Sequence, residues 1–251
     1  TCALPILRFI AASYDCSTKW LSLRLNQFCN LLRPYLENIW IQTFSSAGIH
    51  TTGSWIFNNS TEMTEHIQNL NRHTKTSERP HVRFEAHDFS TLYTGIKLDV
   101  LADRFDSLLD LIFAKPGTNN GTYTHFRFRL DPENPSGNPC NQPTPSQNPS
   151  HKRRKNAYRF CTLAQLKAAF RYLFLNTYVV LGDAIFQQII GIPMGTNCAV
   201  HIANFFLFTY ELDFVKRCIA HNEIDLLKEF RWMKRYIDDV FGAKCPRLSL
   251  F

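Results

Sequence analysis

Three acidic residues sit where a carboxylate is costly to keep. Asp88 ends the alternating run HVRFEAHDF (81–89), and Asp238 and Asp239 lie inside RYIDDVF (235–241). A carboxylate among bulky apolar neighbours loses hydration unless a cation or several donors compensate it. On a regular strand Asp238 and Asp239 face opposite sides, so they reach one site only where the chain turns, as at a hairpin tip. The plainer reading is an exposed turn, in which Asp-Asp pairs are common. Between the acidic positions lies Gly191-Ile192-Pro193-Met194-Gly195-Thr196-Asn197. Its two glycines and proline let backbone approach a ligand closely, and they equally suit an ordinary strand-to-helix turn. The spacing GxxxxGK[ST] is missing, so this is not a P-loop.

These residues need elements to hold them. Ser17 to Leu36 carries Trp20, Leu21, Leu23, Leu25, Phe28, Leu31 and Leu32 near a helical period, with Pro34 marking its stop. Ser60 to Leu70 predicts a shorter helix with Ser60 and Thr61 as caps, Glu62 and Glu65 in its early turns, and Ile67 and Leu70 on its apolar face. Residues 81–89 predict a strand with Val82, Phe84 and Ala86 on a buried face, delivering Asp88 at its end. A helix over Leu98 to Phe113 is expected to bury Val100, Leu101, Phe105, Leu108, Leu109 and Ile112. Residues 132–150 (PENPSGNPCNQPTPSQNPS) are too polar and proline-rich to fill a core, and predict an exposed, disordered insertion spanning about 115–157. The basic run His151-Lys152-Arg153-Arg154-Lys155 closes it, as solvated surface or as a nucleic-acid or nuclear-import signal. Leu163 to Leu175 reads as helix, Val179 to Ile190 as a hairpin turning at Leu181-Gly182-Asp183, Cys198 to Arg217 as helix, and Phe230 to Phe241 as strand, turn, strand with Asp238-Asp239 at the tip.

With 251 residues, 45% hydrophobic and 14% aromatic, the chain can bury a sizeable core. Lys and Arg exceed Asp and Glu by 28 to 21, a net charge of +7 that suits a polyanionic partner. The eight cysteines are scattered with no CxxC pair and read as reduced thiols of an intracellular protein. The most apolar stretch, Ala199 to Leu212, is broken by His201, Asn204 and Glu211, so no membrane span is expected. His201 on that face reads as a packed histidine. The opening at Thr1-Cys2 and the close at Leu250-Phe251 read as cuts at both ends.

A strand-end Asp, a Gly-Pro-x-Gly turn before a helix, then an aromatic-x-Asp-Asp hairpin resembles, in that order, palm motifs A, B and C of reverse transcriptases, and of Penelope-like retroelements in particular. The resemblance rests on RFIAAS (8–13), DFSTLYT (88–94), FQQIIGIPMGTNCA (186–199) and YIDD (236–239). It implies an α+β fold: a palm of antiparallel sheet backed by helices over 81–251, a partial fingers lobe over 1–80, and no thumb. It also implies RNA-directed DNA polymerisation with RNA template, DNA primer and dNTPs as partners, and two Mg²⁺ ions held by Asp88, Asp238 and Asp239. Tyr93 matches the residue beneath the incoming sugar, Met194 and Gly195 the pair lining the nascent base pair, Gln188 a neighbour of that site, and Arg8 the fingers arginine on the triphosphate. Relatives often carry proline at Val200, an aliphatic residue at His201 and Gln at Met194, although methionine there is a Penelope-like variant. A decayed or domesticated copy that binds nucleic acid or protein without catalysis is the second reading. An RNA-dependent RNA polymerase is a third, with less use for an aromatic residue at 93.

Overall fold

The computed structural model describes residues 16–51, 53–57, 59–75, 84–89, 91–115, 121–129, 135–141, 159–181, 183–192 and 195–243. Its first helix, α1 (Lys19–Ser46), runs ten residues past the stop expected at Leu36, with Pro34 inside it. An interior proline removes one helical hydrogen bond and costs about 3 kcal/mol. Leu36, Trp40 and Phe44 continue the buried stripe beyond it, and each such side chain contributes about 1.5–3 kcal/mol on burial. Trp40 is fully buried, with its ring 4.8 Å from Trp55, 5.1 Å from Phe44 and 5.8 Å from Phe208. Packing therefore outweighs the local penalty.

The chain continues through α2 (Ser60–Lys75), β1 (Phe84–Asp88), the single turn α3 (Leu92–Gly95), α4 (Leu98–Phe113), β2 (His125–Arg129), β3 (Ser136–Cys140), β4 (Arg159–Thr162) and α5 (Leu163–Leu175). The hairpin β5 (Tyr178–Leu181) and β6 (Ala184–Gln187) leads to α6 (Ala199–Ala220) and α7 (Ile224–Glu229). A 3-10 turn over Phe230–Trp232 then feeds β7 (Met233–Tyr236) and β8 (Asp239–Ala243). Three antiparallel sheets result, ordered β1-β8-β7, β3-β2-β4 and β5-β6. The architecture is thus mixed α and β with antiparallel pairing. Helix α6 sits in the core with apolar residues on nearly every side, as its low amphipathicity demands. Around it pack α1 and α4, and α5 packs on both of these.

Several local expectations change. Asn59, not Ser60 or Thr61, caps α2: its Oδ1 accepts from the Glu62 amide at 3.0 Å. Val100 is 37% exposed, whereas the other five residues of its expected stripe on α4 are buried. Within the expected insertion, β2 and β3 pair from His125↔Cys140 to Arg129↔Ser136, and β2 also pairs β4. Phe126 anchors this sheet, fully buried and 5.8 Å from Phe28 and 6.0 Å from Phe113. The Tyr35 hydroxyl donates to the Gly137 carbonyl at 3.0 Å, which seats β3 on α1. One aromatic anchor recruits a proline-rich strand that composition alone leaves outside the core. The basic run 151–155 lies outside the described residues. By contrast α4 and α5 keep their expected limits, and α5 starts with a full capping box between Thr162 and Gln165.

Among the described residues no helix is long and apolar enough to cross a membrane. The six described cysteines are free thiols. His201 packs against Phe205 at 6.0 Å, and burial, then the charge of Arg33, pull its pKa down, as suits a packed histidine.

Candidate active site

Alternation along β1 puts Phe84, Ala86 and Asp88 on one face. That face was expected to be buried. Instead Phe84 is 52% exposed and Ala86 and Asp88 are exposed too. β1 is an edge strand among the described residues, paired only with β8, and its apolar side forms the floor of an open cleft rather than part of the core. The cleft holds about 910 Å³ between α2 and the sheet, lined by Phe57, Met63, Asp88, Lys234, Tyr236 and Asp239. Its opposite face is the buried one, where Met233, Arg235 and Val240 point inward.

Asp88 lies directly across from Asp239 in the β1–β8 register, and Tyr236 lies across from Asp239 on the other side. The Phe89 amide donates to the Asp238 carbonyl at 3.1 Å. That bond flanks a pair not itself hydrogen-bonded, in which Cα atoms approach to about 4.5 Å and side chains lie closest. The two carboxylates therefore share one face as immediate neighbours, across more than half the length of the chain.

The turn between β7 and β8 is Ile237-Asp238. Ile237 has φ +56, a region that a β-branched residue enters only under constraint, at a cost of about 1–3 kcal/mol. The turn separates Asp238 from the strand alternation, as two carboxylates serving one site require. Asp238 is half-buried and Asp239 exposed. The desolvation expected of Asp88 and Asp239 is thus not what makes them costly; their mutual repulsion is.

Asp238 faces Tyr93. Burial first, then the Asp238 charge, push the Tyr93 phenol up to about 12, so it stays neutral through the physiological range. Tyr93 sits in α3, half-buried, and its carbonyl accepts from the Ile192 amide at 3.0 Å, while the Gly191 amide donates to the Ile96 carbonyl at 2.7 Å. Gly191 has φ +88, and a Cβ there would stand 2.2 Å from the Tyr93 carbonyl oxygen. This glycine lets the turn approach the protein's own backbone, as the plainer of the two readings left open by the sequence has it.

Of the other expected site residues, Gln188 and Gly195 are described. Gln188 spends its side-chain amide on the Ile190 carbonyl at 3.0 Å and its backbone amide on Thr177 at 2.9 Å. Gly195 lies half-buried in the turn before α6. Arg8 and Met194 lie outside the described residues.

Magnesium keeps several waters and takes one or two carboxylates together with substrate phosphates. The opposed Asp88 and Asp239, with Asp238 on the adjoining turn, fit that donor chemistry. Among the described residues no group of three His, Cys, Asp or Glu is placed so as to hold a metal ion, so the three carboxylates expected to share two ions do not converge as a three-ligand site; the opposed pair Asp88 and Asp239 is what the register brings together. No ion pair or hydrogen bond to another described residue occupies the side chains of Asp88 and Asp239.

Sequence reasoning missed the groups that hold the hairpin. Arg235, one residue before the Tyr236-Ile237-Asp238-Asp239 string, is fully buried, with its Nε on Glu211 Oε1 at 2.6 Å and its Nη1 on Asn204 Oδ1 at 2.8 Å. Asn204 and Glu211 stood out as polar interruptions of an apolar run. Their spacing of two helical turns, which puts both on one face, was the signal available. Lys234 is likewise drawn inward: its ammonium donates to the Ser54 carbonyl at 2.6 Å, and burial lowers its pKa despite Glu37, Glu62 and Glu211 nearby.

No protein-family model matches the chain, and no curated protein matches it. Among solved structures, the chain is similar to one in the structure of telomerase from Candida albicans in complex with a TWJ fragment of telomeric RNA, at a TM-score of 0.55 and 15% sequence identity. The likeness covers 87% of this chain and 30% of that one, so the chain spans about a third of its neighbour's length. At that identity the likeness is one of fold.

Proposed function

We propose that the chain carries the nucleotidyl-transfer core of a reverse-transcriptase-like polymerase, with RNA as template, a DNA primer and dNTPs as substrates. The observation that carries this reading is the pairing of Asp88 with Asp239 beside Asp238 on a strained hairpin turn. Two opposed, accessible carboxylates that make no ion pair with another described residue are poorly explained by stability. They are well explained by a divalent cation brought in with a polyphosphate. The fold likeness to a telomerase chain, the net charge of +7 and the order of the three motifs support the same reading.

In this reading β1–β8–β7 and α6 form the palm, and a Penelope-like retroelement is the proposed origin. Asp88, Asp238 and Asp239 would hold two magnesium ions. When bound, such ions stabilise the attacking and leaving oxygens of an in-line displacement. The chain's own contribution is to aim carboxylates from two adjacent strands at one point. The open cleft beside them admits the primer end, and the chain's net positive charge favours its phosphates. Tyr93, neutral and held by backbone bonds to the Gly191 turn, presents its ring beneath the incoming sugar.

Single-nucleotide extension on a primed RNA template tests this. Tyr93→Ala is expected to raise rNTP use relative to dNTP use by at least about tenfold, equivalent to about 1.4 kcal/mol of lost discrimination. Tyr93→Phe keeps the ring and should keep the ratio. Equal loss with both nucleotides would reduce Tyr93 to packing, and no extension by the unmodified chain under any divalent ion would leave a nucleic-acid-binding relic.

A further inference from the structure

The most completely buried charge beside the hairpin is not one of its aspartates. Arg235 and Glu211 are both 0% exposed. From one planar guanidinium, Nε donates to Glu211 Oε1 at 2.6 Å, Nη1 to Asn204 Oδ1 at 2.8 Å and to the Ile237 carbonyl at 2.7 Å, and Nη2 to the Asn204 carbonyl at 3.3 Å. The base of the side chain is fixed as firmly. The Arg235 amide donates to the Trp55 carbonyl at 2.6 Å, and its carbonyl accepts from the Phe57 amide at 2.7 Å.

Stability alone explains this arrangement poorly. A buried ion pair is often no better than apolar residues of the same volume, because desolvation offsets the attraction. Here the offset is incomplete even locally, for Glu211 Oε2 is buried with no hydrogen-bond partner. An apolar substitute could fill the space, but it could not donate to the Ile237 carbonyl. That carbonyl belongs to the residue at φ +56 whose strain creates the turn, and the next two residues are Asp238 and Asp239.

Resting on the polymerase reading above, we propose that Arg235 is a positioning residue: by tying the Ile237 carbonyl to Asn204 and Glu211 of α6, it fixes the strained turn and so the aim of the Asp238 and Asp239 carboxylates. Lysine cannot replace it. An ammonium offers three donors on a flexible stem and cannot match four acceptors spread around a flat fork. The helix carries the reference frame, and the guanidinium transmits it to the hairpin.

The test uses the chain itself, with two readouts. One is hydrogen exchange of the Phe89 amide, whose acceptor is the Asp238 carbonyl. The other is Mn²⁺ binding measured by electron paramagnetic resonance, with Asp239→Asn as reference. Arg235→Lys is one variant. The second replaces the pair, Arg235→Met with Glu211→Leu, removing both charges so that no unpaired ion is left to unfold the protein. In whichever variant keeps the wild-type circular dichroism, Phe89 exchange is expected to speed at least tenfold and Mn²⁺ affinity to fall at least roughly tenfold, as for loss of a group that orients metal ligands. A folded variant with unchanged Phe89 exchange overturns the proposal. If Asp239→Asn binds Mn²⁺ as the wild type does, the metal reading of the site has failed, and Phe89 exchange alone decides the role of Arg235.

Discussion

Asp88→Asn is expected to lower primer extension at least about a thousandfold, roughly 4 kcal/mol of transition-state stabilisation, while making the folded chain slightly more stable. The two effects have one cause. Asp88 and Asp239 are cross-strand neighbours on one face, and like charges so placed destabilise a sheet by about 0.2–1 kcal/mol. Neutralising either relieves that repulsion and removes one of the three carboxylates that would hold a cation. Asp239→Asn should behave alike. Asp238→Asn should lose activity without the same gain, because Asp238 sits on the turn outside the opposed pair. Thermal melting at low salt reads the gain, which for a chain of this size amounts to at most about 4 °C. It should shrink in high salt as screening weakens the repulsion. Template binding, carried by basic contacts to phosphate, should change little. An Asp88→Asn protein that extends primers at near wild-type rate sinks the two-metal proposal. One that melts well below wild type shows the carboxylate to be structural.

The parts of this fold legible in the sequence are those whose causes are local. Helix α4 kept its expected limits because its apolar period is unbroken, and α5 because Thr162 and Gln165 form a capping box at its start. Hairpin β7–β8 was legible in part: the aspartate pair marked a turn, but the turn falls at Ile237-Asp238, Asp239 opens β8 instead of sharing the tip, and Phe230–Trp232 is a 3-10 turn where strand was expected. What failed depended on distant partners. Pro34 is a sound local stop signal, overridden by the burial of Trp40 against Trp55 and Phe208. Alternation showed that Phe84, Ala86 and Asp88 share a face but not whether anything covers it, since periodicity reports which residues agree and not what they agree to face. Arg235 was invisible for the same reason. A basic residue beside an acidic turn reads as surface, and only the approach of α6 makes it the most buried charge in the site.

Gly191→Ala is expected to be the most damaging small substitution outside the carboxylates. Two independent costs coincide there. At φ +88 any Cβ is strained, and this one would stand 2.2 Å from the Tyr93 carbonyl oxygen and 3.1 Å from Thr94 Cα, both backbone atoms that no rotamer change can move aside. The turn must lift away from α3, loosening the 2.7 Å bond from Gly191 to Ile96 and the 3.0 Å bond from Ile192 to Tyr93. Strain and overlap together amount to about 3 kcal/mol, a fall in melting temperature of roughly 6–12 °C. Gly48→Ala separates the two costs, because Gly48 also has positive φ but a Cβ there meets nothing within 4 Å; it should cost only about 1 kcal/mol. The functional consequence follows from what the turn holds. Displacing Tyr93 by about 1 Å at a site that aligns reacting atoms can cost on the order of a hundredfold in rate. Extension measured well below the melting temperature should therefore fall far more than the folded fraction does, and amide exchange at Gly191 and Ile192 should accelerate with it. A Gly191→Ala protein that melts lower but extends in proportion to its folded fraction would show that the turn stabilises the fold without aiming Tyr93.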